Sequence, residues 1–205
     1  MKLFQKIFMS AISLMVLFIA FPCGADDYYT TIEQLSDSSA PIRTAIEFKV
    51  RPIDFSAINP SDLGYSNPEE WNNDLKDVPN AFAKAFPVLL KEAGIENKKF
   101  TLISKDERIS QGVIVDVAVT KIILKSNIMY IQNDDFICNI SFKNASDGRK
   151  LFSSIVNIQN RKRDVSAYAQ GWTMRFSERL NSAAYNIAMV LTKIGVHGKI
   201  DPEKY

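Results

Sequence analysis

The chain has 205 residues, 46% of them hydrophobic and 23% charged, with 25 Lys+Arg against 23 Asp+Glu. That length is enough for one domain with a proper core. The near-neutral balance argues against a nucleic-acid binder, whose affinity rests on a basic surface that neutralises phosphates.

Residues 1–25 have the three-part layout of a secretory signal. Lys2 and Lys6 make a positive start, "IFMSAISLMVLFIAF" (7–21) is an uncharged apolar run, and Pro22 ends any helix through it. Cys23, Gly24 and Ala25 are small, which fits a cut between Ala25 and Asp26. A rival reading makes Cys23 a lipidated N-terminus. Bacterial lipoprotein signals place a small residue before that cysteine, whereas here Pro22 stands there, preceded by Phe21. A third reading keeps the segment as an uncleaved anchor, although the apolar run is near the short end for a membrane span. Cleavage and lipidation share one expectation, an exported protein of the periplasm or outer membrane. Loss of residues 1–25 removes two lysines and no acid, so the mature chain is formally neutral. It keeps one cysteine, Cys138, which rules out an internal disulfide framework.

Residues 26–42 are polar and weakly periodic, and read as a tether. A single domain follows over 43–195, with a polar tail over 196–205. The first strand is expected in "RTAIEFKVRPIDF" (43–55), where Ile46, Phe48 and Val50 alternate with Glu47 and Lys49. Pro52 marks a bend or an edge. "NPEE" from Asn67 reads as an N-cap, a proline in the first helical position and acids in the first turn. A longer helix is expected over 77–93, with Phe82, Phe86, Leu89, Leu90 and Ala93 on one face, Pro87 kinking it, and Gly94 as its stop.

"KKFTLISKDERI" predicts a strand and then a turn. "VIVDVAVTKIIL" (113–124), nearly continuous and β-branched, fits a central strand. In "FICNISFKN" (136–144), Phe136, Cys138, Ile140 and Phe142 share one face, while Ile137, Asn139, Ser141 and Lys143 share the other. Asp147-Gly148 supplies the turn to an antiparallel partner, "LFSSIVNIQ". Residues 160–175 have no clear period and read as a loop. The last helix is expected over 176–194, with a wide apolar stripe and Gly195 as its end. The order gives an α+β fold, an antiparallel or mixed sheet with two main helices on one face.

Candidate chemistry is sparse. His197, the one histidine, reads as a solvated tail residue. With a single mature cysteine beside it there is no metal-ligand spacing, no Gly-x-Ser-x-Gly elbow and no phosphate loop. No cofactor is expected. Cys138 reads as a core residue. Asp116 interrupts an apolar strand and needs a basic partner, the alternative being a functional acid. Asp134-Asp135 reads as a solvated turn. The most unusual stretch holds Arg161, Lys162, Arg163, Tyr168, Trp172, Met174 and Arg175. One reading folds Tyr168 and Trp172 back onto the core and leaves the basic run solvated; because aromatic and arginine side chains are over-represented at binding hot spots, the alternative is a docking surface for an envelope protein, an anionic envelope polymer or anionic lipid head groups.

The export signal, "LLKEAG" (89–94), "VIVDVAVTKIIL", the "FICNISFKNASDGRKLFSS" hairpin and the closing amphipathic helix together resemble a group of small bacterial envelope proteins. That group includes outer-membrane lipoproteins and the lipoprotein activators of penicillin-binding proteins. The resemblance spans about 43–194 and implies a non-catalytic accessory role in the envelope; it carries over no site residue. Pro22 departs from the lipoprotein members. The rival functions are a periplasmic hydrolase using carboxylates such as Asp116, and a carrier of a small apolar ligand between helices and sheet. When the full chain is expressed in a bacterial host, the intact mass of the exported product is expected to start at Asp26. A mass starting at Cys23 with added acyl groups would instead mean a membrane-tethered lipoprotein.

Overall fold

The computed structural model describes residues 29–35, 40–125, 131–163 and 176–200. The chain forms β1 (Tyr29–Leu35), α1 (Ala40–Thr44), β2 (Glu47–Val50), a 3-10 turn (Pro60–Leu63), α2 (Pro68–Leu75) and α3 (Val78–Glu92). It continues through β3 (Lys99–Leu102), β4 (Val113–Ile123), β5 (Ile131–Asn144), β6 (Lys150–Arg163) and α4 (Phe176–His197). The six strands make one mixed sheet in the order β1-β6-β5-β4-β2-β3. β1, β6, β5 and β4 pair antiparallel, and β2 runs parallel to both β4 and β3. The α+β fold is as the sequence predicts.

Alternation decides which face is covered. Val113, Val115, Val117 and Val119 of β4 and Phe136, Cys138, Ile140 and Phe142 of β5 are buried. Leu180, Ala184, Ile187, Leu191 and Ile194 of α4 belong to the same core cluster, as does the Phe82 and Phe86 stripe of α3. Rings bind the two layers: Phe48 stacks on Phe100 at 4.5 Å, and Phe100 on Phe86 at 4.9 Å. The α2 start is built as its sequence demands, with Asn67 accepting from the Glu69 N–H at 2.8 Å and proline behind it. The Asp147-Gly148 turn is also present, Gly148 adopting φ +69°, a conformation that favours glycine.

Several expectations are corrected. Within the supposed tether, residues 29–35 are an edge strand on β6, and Ala40–Thr44 is a short helix. The weak periodicity has a cause: a bulge between Thr31 and Glu33 interrupts the alternation. The first strand is shorter than 43–55, and Ile46 precedes it and is exposed. Beyond Val50 the chain still follows β4, with the Arg51 and Asp54 N–H groups donating to Val115 and Val117 at 3.0 and 2.9 Å. Pro52, having no N–H to give, falls between those two bonds, past the end of β2.

Residues 160–163 extend β6 and are not loop, because the longer β5 continues to pair with them. Gly195 does not end the last helix, which runs to His197 and stops at Gly198, φ +73°. Gly195 has a packing role: a Cβ there would lie 2.5 Å from Phe100 Cζ and 3.3 Å from Phe48 Cζ. Nor is residue 196 onward all polar tail. Ile200 is buried and its N–H donates to Gln34 of β1 at 3.2 Å.

Gly195→Ala should therefore destabilise the protein by about 1–3 kcal/mol, the usual cost of overpacking a filled core. Val88→Ala on the exposed side of α3 should stay within about 0.5 kcal/mol. Urea unfolding of both variants checks the contrast.

Candidate functional site

Because the helices cover one face of the sheet, the other face is left open among the described residues. Its side chains come from the alternate positions: Ile114, Asp116 and Ala118 of β4, Asn139, Ser141 and Lys143 of β5, and Ser153 and Ile155 of β6. They are half-buried or exposed. Two depressions meet on this face. The larger, about 900 Å³, lies between β4 and the turn after β3, and is lined by Arg51, Asp54, Lys105, Glu107, Arg108 and Asp116 among others. The smaller, about 370 Å³, runs toward β1 and includes Glu33, Leu35, Lys150 and Ser153. Asp116, Ala118 and Lys143 line both, so they form the saddle of one continuous trough.

At the saddle, Asp116 Oδ1 accepts from Arg51 Nη1 at 3.0 Å and Oδ2 accepts from Lys143 Nζ at 2.7 Å. The partner that the apolar strand required is thus a pair of cations, one from each side of β4: Arg51 just past β2, and Lys143 of β5. Asp116 is a quarter exposed, on the open face and not in the core. The sequence flagged the acid but could not name Arg51 or Lys143. Lys143 sits two residues beyond Ser141, which faces Asp116 in the antiparallel register, a diagonal contact that only strand pairing reveals. Elsewhere in the trough, Asp54 accepts from the Ser56 N–H at 2.9 Å, and that bond, with Lys105 nearby, holds its carboxyl below the usual carboxylate range. Glu107 folds back on the Ser104 N–H at 3.3 Å.

The remaining candidates are dispersed. Asp134 and Asp135 are not a solvated turn; both are buried in β5. Asp134 is gripped by the Arg179 guanidinium from α4, with Nε 2.6 Å from Oδ2 and Nη2 bonded to Oδ1. Asp135 accepts from Lys125 Nζ at 2.5 Å. Asn160 and Ser182 continue the Arg179 network, Asn160 Nδ2 donating to the Arg179 carbonyl at 3.0 Å and Ser182 Oγ to Asn160 at 2.7 Å. Burial accounts for these bonds, since a carboxylate removed from water must be paired.

Cys138 is fully buried in the core cluster, and desolvation pushes its thiol up; it has the surroundings of a small apolar core residue. His197 is exposed on the last helical turn. Arg161, Lys162 and Arg163 end β6, opposite the Asn133, Gln132 and Ile131 start of β5. Cys23, Tyr168, Trp172, Met174 and Arg175 lie outside the described residues. Among the described residues no cluster of His, Cys, Asp and Glu is placed to hold a metal ion, and no helix is long and apolar enough to cross a membrane.

No family model matches the chain, and no curated protein does. Among solved structures it is similar to the PelC dodecamer from Paraburkholderia phytofirmans, at 12% identity over 84% of this chain and 99% of that one, TM-score 0.44. It is also similar to protein XCC0632 of the DUF330 family from Xanthomonas campestris, at 10% identity over 82% and 95%, TM-score 0.43. A third is lipoprotein GNA1162 from Neisseria meningitidis, at 11% identity over 72% and 96%, TM-score 0.35. At such identities and scores, any functional reading rests on the chain's own residues.

The two acidic centres should respond differently to truncation. Asp134→Ala removes a fully buried acid and leaves the largely covered Arg179 guanidinium without its counter-charge, and should cost about 3 kcal/mol. Asp116→Ala, in partly exposed surroundings, should cost about 1 kcal/mol or less. Chemical denaturation of the two variants in parallel tests the ranking.

Proposed function

We propose that this chain is an exported, non-catalytic accessory protein of the bacterial envelope that works by holding a polypeptide partner on its open sheet face. The observation that carries the reading is the trough itself, a concave surface running over the uncovered side of the sheet and floored by Asp116, Ala118 and Lys143. Export is supported by the three-part layout of residues 1–25. The balance of charge around the trough favours a polypeptide over a uniformly anionic polymer: Arg51, Lys105, Arg108 and Lys143 are matched by Asp54, Asp106, Glu107 and Asp116. Electrostatic complementarity of this mixed kind selects a partner carrying both signs.

Two features weigh against the rival functions. Asp116 has both oxygens engaged by cations, which leaves neither placed to take a proton from a substrate. An apolar carrier needs a cavity of roughly 300 Å³ or more, whereas the recess bounded by Ile53, Phe55, Leu75, Val78 and Phe82 measures about 190 Å³. The basic and aromatic stretch from Arg161 to Arg175, which begins in the last residues of β6, remains a second proposed contact region.

Ala118→Arg places a long cationic side chain on the saddle. It should abolish crosslinked capture of the envelope partner from intact cells while the melting temperature stays within a few degrees. Tyr185→Arg, on the exposed side of α4, should leave capture intact. Equal capture by wild type and Ala118→Arg, or loss only with Tyr185→Arg, would move the binding surface away from the open face.

A further inference from the structure

We infer that the trough takes an extended polypeptide of about six residues lying across the strands, with a carboxylate side chain at its centre bonded by Arg51 and Lys143. This rests on the open face being the binding surface and specifies what lies there.

The length follows from the sheet. From β1 to β2 the order β1-β6-β5-β4-β2 contains four strand spacings, each about 4.8 Å, or about 19 Å in all. An extended chain rises about 3.3 Å per residue, so about six residues span the same distance. The central chemistry follows from the saddle. Two cations share one carboxylate there, leaving one positive charge in excess, and all three side chains are between 26% and 37% exposed. A guanidinium has five donors and an ammonium three, while one hydrogen bond from each is spent on Asp116. An arriving carboxylate would complete a charge-balanced cluster of two cations and two anions, with charge-assisted bonds at both cations. Away from the saddle both signs alternate: Glu33 and Lys150 toward β1, Asp106 and Arg108 toward β3. A uniformly anionic chain would gain nothing from these charge-balanced ends, whereas a peptide with one central acid places its single charge at the one site with an excess cation.

The test is an NMR titration of the exported protein with N-acetylated, C-amidated seven-residue peptides of alanine and threonine, differing only at the central position. The glutamate peptide should perturb the amides of Ala118, Ser141 and Ser153, and the glutamine peptide should bind about tenfold more weakly, the loss of one charge-assisted contact. A central lysine should bind more weakly still. Lys143→Gln and Arg51→Gln should each erase the preference for glutamate over glutamine. The wild-type comparison needs no variant to fold. Equal binding of the glutamate and glutamine peptides would overturn the carboxylate anchor while leaving the open-face reading standing. Stronger perturbation of the same amides by tetragalacturonate than by the glutamate peptide would overturn the polypeptide assignment. Absence of any shift in the trough amides would also overturn the proposal, and the Ala118→Arg comparison with the partner itself decides the open-face reading separately.

Discussion

The structure depends on how closely the last helix approaches the sheet. Phe86 from α3, Phe100 from β3 and Phe48 from β2 form a stack of three rings, and Gly195 lies against it where any side chain would collide with Phe100. That contact presses α4 onto the parallel corner of the sheet. Offset and edge-on ring pairs add about 0.5–1.5 kcal/mol each beyond the area they bury, and Phe142 extends the group edge-on to Phe48 and Phe152. The apolar interior of the domain is organised around this set of rings.

Once the rings and the valines of β4 have committed one face to the helices, the other face must carry whatever the alternate positions hold. Those positions hold serine, asparagine, alanine, the half-buried Ile114 and Ile155, and the Arg51–Asp116–Lys143 cluster, a largely polar composition that stands in water. A sheet covered on one side is an ordinary antiparallel arrangement. Here the turn after β3 rises beside it and makes the open face concave. The site and the core are therefore two consequences of one period-two pattern, written on opposite sides of the same strands.

A second polar centre belongs to the covered side. Asp134 receives Arg179 near the start of α4, and Asn160 with Ser182 completes the contact. The network ties the beginning of β5, the end of β6 and the first turns of α4 together. Lys98 does a similar service at the opposite end, donating to the carbonyls of Arg43 and Ala45 at 2.8 and 2.7 Å and so closing α1. Both are long-range bonds between groups far apart in sequence, which is why neither has a local signature.

The strands at 113–124 and 136–144, the Asp147-Gly148 turn, the Asn67 cap and the two long helices were legible from the sequence, because periodicity and capping act within one turn or one pleat. Asp116 was legible as an acid that needed a partner, since burial chemistry is local in its demand. Its partners were not, because Arg51 and Lys143 reach it through strand register, a relation between distant segments. The same limit hid the edge strand in the polar segment 29–35, which is ordered by β6 and not by its own propensity. It hid the role of Gly195, which looks like a helix stop and proves to be room for a ring. Sequence by itself determined which residues face together along each element; only the tertiary structure decided which distant residues meet on each face, because that depends on the order and register in which the strands pair.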